Sequence, residues 1–431
     1  MKNNIKQLII DWHHKELPQI YERNFPKINF KNLENILAII WPRRAGKTYY
    51  MYQLINELMI NYGVLKDEIL FIDFENYKLI ELQTQDMGEI LDLFYEVHGK
   101  YPKYLFFDEI HTVEHRGRVL RTFHNDGYTI IISWSSSKLL LSEISTELRG
   151  RYFHQLMLPF SFKELVVKHQ ISFNHTIQYD QKKRIKVRKL FDEYLEFWWY
   201  PVVVWEENEE RKRTLLEEYY ATIFYKDLLE RHIIQDKKAV ECLMHYFLNT
   251  YSNLFSASKF EIYLKNLWIK VSKATLLKYV DYIQESFFTI SCPKFSRSPK
   301  WEIHNPSKIY LIDSGFTRMG NNYTENKGQI LENIVAIELY RQEKQFFYFN
   351  GKKECDFIVK DKIGTKITSV IQVCWQLDEI NQEREIKGLL LAMNTCNVNE
   401  WYILTYDTFE EREVENKKIH ILPVWYWMNL S

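Results

Sequence analysis

Residues 35–41 form an apolar, β-prone run that breaks at Pro42-Arg-Arg-Ala-Gly46-Lys47-Thr48, and a helical pattern follows from 48 to 62. Strand, glycine-lysine-threonine, helix is the context a phosphate-binding loop needs, because the free N–H groups and positive dipole of a helix start cradle phosphate oxygens. Such a loop also fixes the surroundings: its strand belongs in a parallel sheet with crossover helices. The residues placed against a nucleoside triphosphate are Arg44, Ala45, Gly46, Lys47, Thr48 and Tyr49. Lys47 would reach the β- and γ-phosphates and Thr48 would ligate Mg²⁺. The pattern G-x-x-x-x-G-K-[ST] fails only at its first position, where Trp41 stands.

Further apolar β-rich runs at 68–74, 103–108, 128–133 and 153–158 alternate with helical patterns and predict a parallel α/β sheet. The third run ends in Asp108-Glu109. An acid there holds Mg²⁺ and the next orients or deprotonates the attacking water, so Asp108 is assigned to metal and nucleotide and Glu109 to catalysis. Asp73 and Glu75 fall on the same rim, either supporting the site residues from behind or only closing a turn. After the fourth strand, Ser135 or Ser136 is placed to sense the γ-phosphate at the carboxyl edge. Arg149 and Arg151, around Gly150, would supply transition-state charge to this or a neighbouring site, or else only close helix ends.

The 431 residues allow two or three domains. A net charge of +0 announces no bulk attraction to nucleic acid or membrane. Five scattered cysteines without C-x-x-C pairs predict reduced, mostly buried thiols and a cytoplasmic setting. Neither a signal peptide nor a membrane-spanning run is read from the sequence.

Together PRRAGKT (42–48), LFFDEI (105–110), SSSKLLLSEISTELRGRY (135–152), YPVVV (200–204), KIYLIDSGF (308–316) and ECDFIV (354–359) resemble the bacterial and archaeal AAA-type ATPases with a C-terminal domain of unknown function. The resemblance covers nearly the whole chain. It implies an α/β fold class: an AAA-type P-loop parallel-sheet domain at 1–165 and a helical lid or connector at 166–235. Behind these it implies a winged-helix-like region at 236–300 and a restriction-endonuclease-like α/β domain at 301–431. ATP and Mg²⁺ are the cofactors implied. DNA through 236–300, a protein partner or a second copy are the macromolecular partners, with no membrane among them.

The second half carries its own signals. Helical patterns at 258–267 and from 271 onward suit a helix-turn-helix, with Lys265, Lys270, Lys273 and Lys278 for phosphate contacts. The bland alternative is a spacer or protein-contact module. A helix at 331–342, strands at 345–349, 354–359 and 369–373, and a helix near 381–393 place Glu332, Asp356 and Gln372 where endonuclease-like folds hold metal. Cys374 stands where such enzymes carry lysine, so a scaffold without cleavage is expected.

The family pattern expects glycine at Trp41, Trp134, Trp198, Trp199 and Trp268, and at Trp401 on a weaker match. Some bacterial lineages read UGA as glycine and others as tryptophan, so one misread codon would produce this substitution alone. UGG codons at those positions would instead mean a degenerate ATPase with a blocked loop.

Overall fold

The structure, a computed structural model, describes residues 1–40, 42–134, 146, 148, 150–197, 199–296, 305–320, 327–364, 366–396, 398, 401–415 and 417–430. It divides into two compact units, 1–159 and 160–431.

In the first unit, strands β1 (Ile36–Ile40), β2 (Ile69–Asp73), β3 (Tyr104–Asp108), β4 (Thr129–Trp134) and β5 (Tyr152–Leu156) form one parallel sheet in the order β2-β3-β4-β1-β5. All five residues of β1 are buried, which explains its unbroken apolar run: strands covered on both faces need no alternation. Helix α1 (Lys2–His14), α2 (Lys47–Tyr62), α3 (Asp86–His98) and α4 (Arg116–Asn125) accompany the sheet. Helix α2 buries Met51, Leu54, Ile55 and Leu58 along one stripe and stops at Gly63, whose φ of +65° favours glycine. Helix α1, unread in the sequence, sinks Ile5, Ile9 and Trp12. The Trp12 indole N–H donates to the Ile69 carbonyl at 3.0 Å, and its ring stacks on Phe71 at 4.9 Å.

The second unit opens with helices α5 (Phe162–Lys168), α6 (Gln181–Glu196), α7 (Pro201–Trp205) and α8 (Glu209–Thr222). Next come α9 (Lys237–Thr250), β6 (Asn253–Phe255), α10 (Ala257–Asn266), α11 (Lys273–Glu285), β7 (Thr289–Cys292) and β8 (Ser307–Leu311). Asp236, Ser256 and Ser272 start the three helices by accepting from Ala239, Lys259 and Thr275 N–H groups, the usual work of short polar caps. The small sheet has the antiparallel order β6-β8-β7. The boundary expected at 300/301 thus cuts a hairpin: β8 belongs with β6 and β7, because its backbone pairs there.

The remainder is a six-stranded mixed sheet, order β13-β14-β12-β11-β10-β9. Its strands are β9 (Gln345–Asn350), β10 (Glu354–Lys360), β11 (Ile367–Val373), β12 (Trp401–Thr405), β13 (Glu410–Val414) and β14 (Lys417–Pro423). Helices α12 (Lys327–Arg341), α13 (Gln382–Cys396) and α14 (Val424–Leu430) complete this part. Cys355, Ile358, Val370, Leu389, Met393 and Ile403 form its buried core. All five cysteines are free, three of them buried. No helix among the described residues is long and apolar enough to cross a membrane.

Candidate functional site

Parallel strands deliver their carboxyl ends to one rim. Here β1 hands over to the loop and α2, β3 ends on Asp108, and β4 lies between them carrying Ser133. Gly46 begins α2 with φ +92°, and no side chain caps that helix start. Arg44 is likewise left-handed at +64°. Such a start presents its first N–H groups toward an anion. The Tyr49 ring is exposed and lies edge-on to Tyr52.

The side chains converge. Thr48 Oγ1 donates to Asp108 Oδ2 at 2.7 Å, and Ser133 Oγ donates to the other Asp108 oxygen. The Glu109 N–H donates to Ser133 Oγ at 2.7 Å. One hydroxyl therefore ties the two acids, each only 1% exposed, into a fixed pair. Lys47 forms an ion pair with Glu109, and His111 Nδ1 lies 3.0 Å from the other Glu109 oxygen. Burial lowers the Lys47 ammonium's pKa, with Asp108 and Glu75 opposing. Burial, then the neighbouring Asp108, raises the Asp73 carboxyl. Arg43 reaches Glu75 at 3.6 Å. Glu75, Glu109 and His111 bring donor atoms within 4.8 Å of one another.

Thr48 and Asp108 are hard oxygen donors already held together, a set that fits Mg²⁺. Of the assigned residues, Arg44, Ala45, Gly46, Lys47, Thr48, Asp108 and Glu109 meet at this rim. Arg151 does not serve its own site. It precedes β5 at the amino ends of the strands, and its guanidinium donates to Asn125 Oδ1 at 2.6 Å. Because β5 runs parallel to β1, that places it a strand's length from the loop. Trp41, Ser135, Ser136, Arg149 and Trp198 lie outside the described residues.

Three contributors escape the motif reading. Ser133 is the last apolar-strand neighbour before the expected sensors, and only the strand order shows that it bridges the acids. His111 gives no sequence signal. Arg23, 7% exposed, donates to the Ala45 carbonyl at 3.1 Å and the Leu158 carbonyl at 2.6 Å, fastening the loop from a segment with no motif.

The tryptophans divide. Trp134 is buried, with the Arg116 guanidinium 4.4 Å over its ring. Trp199 is buried on Tyr194 at 4.4 Å, and Trp401 starts β12 at 3% exposed. None of these three has positive φ; Trp268 does, at +62°, and is 93% exposed. The backbone argument for glycine therefore applies at 268 and not at 134, 199 or 401.

The AAA domain model matches residues 33–166, and a domain of unknown function, DUF8612, matches 188–326. An uncharacterized protein of Methanocaldococcus jannaschii is 34% identical over 413 residues, 93% of this chain and 90% of that protein. One of Haemophilus influenzae is 26% identical over 421 residues, 92% and 96% of the two chains. The solved Walker-type ATPase of Pyrococcus abyssi aligns at 14% identity and a TM-score of 0.42, covering 70% of this chain and 98% of its own. The chain belongs to the same family as the Methanocaldococcus jannaschii protein, and it carries an AAA domain, with a five-stranded parallel sheet, followed by a domain of unknown function.

Proposed function

We propose that the chain binds Mg-ATP at this rim, hydrolyses it, and couples the nucleotide state to its C-terminal part. One observation carries the reading: the Thr48 hydroxyl and Asp108 carboxylate, 60 residues apart, meet at 2.7 Å beside the loop lysine. Lys47 and the α2 N–H groups hold the phosphates. Thr48 and Asp108 hold Mg²⁺, which would neutralise charge developing on the phosphates. Glu109 orients water and accepts its proton. Its ion pair with Lys47 must open for both to act, since phosphate and carboxylate compete for one ammonium.

Nucleotide titration and phosphate release test this. Lys47→Ala is expected to abolish ATP binding. Glu109→Gln is expected to keep binding and lose about 10²–10⁴-fold in turnover. Unchanged affinity in the Lys47 variant would sink the assignment.

A second reading, DNA association, is supported by the order α9-β6-α10-α11-β7-β8, a helix, strand, two helices and a hairpin that suits a winged helix, with Lys273 and Lys278 exposed on α11. ATP would then be a switch. Salt-dependent retention of duplex DNA, lost in a Lys273→Glu/Lys278→Glu chain, separates it from a spacer role. The layout of α12, β9, β10, β11 and α13 supports the endonuclease-like reading of the last sheet.

A further inference from the structure

The C-terminal unit holds a cleft of about 1050 Å³ lined by residues of β6, β8, α12, β10, β11 and α13. Glu332 and Asp356, the acids the endonuclease-like resemblance assigns to metal, meet there, 9% and 7% exposed. Between them sits a side chain the resemblance does not predict. Lys308, from β8, donates from Nζ to Glu332 Oε1 at 2.9 Å and to Asp356 Oδ1 at 3.0 Å.

Other groups hold the same acids. Tyr310 hydroxyl donates to Glu332 Oε1 at 2.7 Å, and the Val373 N–H donates to Asp356 Oδ2 at 2.9 Å. Gln372 accepts from the Asp356 N–H at 3.2 Å and donates to Glu385 Oε2 at 2.7 Å, while Arg384 holds the other Glu385 oxygen. Magnesium needs oxygens near 2.0–2.1 Å around a point that no other cation occupies. Here an ammonium fills that point, and a divalent ion beside it would face an adjacent positive charge in a buried setting. The donor set does not fit a metal.

We propose that Lys308 is a built-in cation replacing the divalent metal between Glu332 and Asp356, so the cleft is a metal-independent ionic site. The carboxylates keep their geometry through a tethered charge. Two carboxylates at 2.9 and 3.0 Å give the Lys308 ammonium its counter-charge in this buried setting. Burial and the adjacent Asp356 raise the pKa of Glu332, against the pull of Lys308. The inference stands apart from ATP turnover in the first unit.

Mn²⁺ titration of the nucleotide-free full chain decides it. The unsubstituted protein and its Asp356→Asn variant are expected to bind Mn²⁺ identically, since ions taken elsewhere cancel in the comparison. Lys308→Met is expected to gain one Mn²⁺ per chain and a Mn²⁺-dependent rise in melting temperature, both lost when Asp356→Asn is added. An Mn²⁺ site present in the unsubstituted chain and lost on Asp356→Asn would overturn the proposal. So would a folded Lys308→Met chain that gains no ion. If Lys308→Met does not fold, the first comparison still decides.

Discussion

Trp268 ends α10 in a tight hydrogen-bonded turn: its N–H donates to Lys265 O at 3.1 Å, and Ile269 N–H donates to Leu264 O at 3.0 Å. That is the Schellman pattern, with 268 at the left-handed position where glycine is favoured. Gln170, Phe287 and Glu343 occupy equivalent left-handed turns, so this backbone tolerates side chains there and geometry alone does not name the codon. The indole is 93% exposed and loses little packing on removal. A left-handed residue with Cβ costs roughly 1–2 kcal/mol, offset in part by the extra freedom glycine has when unfolded. Trp268→Gly is therefore expected to stabilise the chain by about 1 kcal/mol in urea unfolding. Destabilisation would show that the indole has a contact worth keeping. Trp134 contrasts with it: buried against Arg116, it would leave a cavity on removal.

At the scale of elements, the loop between β1 and α2 is positioned by more than its own motif. Arg23 spans from the N-terminal segment to the carbonyls of Ala45 and Leu158, so the loop and the end of the β5 segment share one guanidinium. Arg23→Met would leave those acceptors without that donor, at a cost of about 1–3 kcal/mol. A raised KM for ATP with a smaller change in kcat is expected, because the cradle shifts while Glu109 keeps its place. An unchanged KM would make Arg23 a stability residue alone. Strands β1 to β4 and α2 were legible because buried parallel strands are continuous apolar runs and the helix begins at a glycine, whereas β5, half-exposed and carrying His154 and Gln155, gives a weaker signal. Helix α1 was not, since a short amphipathic stretch carries little signal before its partners Ile69 and Phe71 are known. The pairing of β8 with β6 and β7 was not legible either: pairing partners are not written in a strand's own residues.

For the molecule as a whole, Asp313 sets a pH dependence. It is fully buried after β8, accepts from the Gly315 N–H at 3.0 Å and the Trp199 N–H at 3.4 Å, and burial raises its pKa to about 7 despite both donors. The unfolded carboxyl titrates near 3.8. Between about pH 4 and 7 the native state therefore holds a proton that the unfolded state has lost, so this contribution is complete below pH 4 and fades as pH rises through 7. Asp313→Asn is expected to flatten that decline, which is on the order of 2–4 kcal/mol, in urea unfolding followed from pH 4 to 8. An unaltered slope would assign the pH dependence to other groups. By itself the sequence determined the phosphate loop, the strand-end acids and the parallel sheet, because these are local patterns: a glycine, a lysine and a hydroxyl at fixed spacing after an apolar run. Tertiary structure alone decided that Ser133 joins Asp108 to Glu109, that Arg23 grips the loop, and that Lys308 stands between Glu332 and Asp356, 24 and 48 residues away. Those partners meet only when strands pair and helices pack, and a buried charge finds its counter-ion in space rather than along the chain.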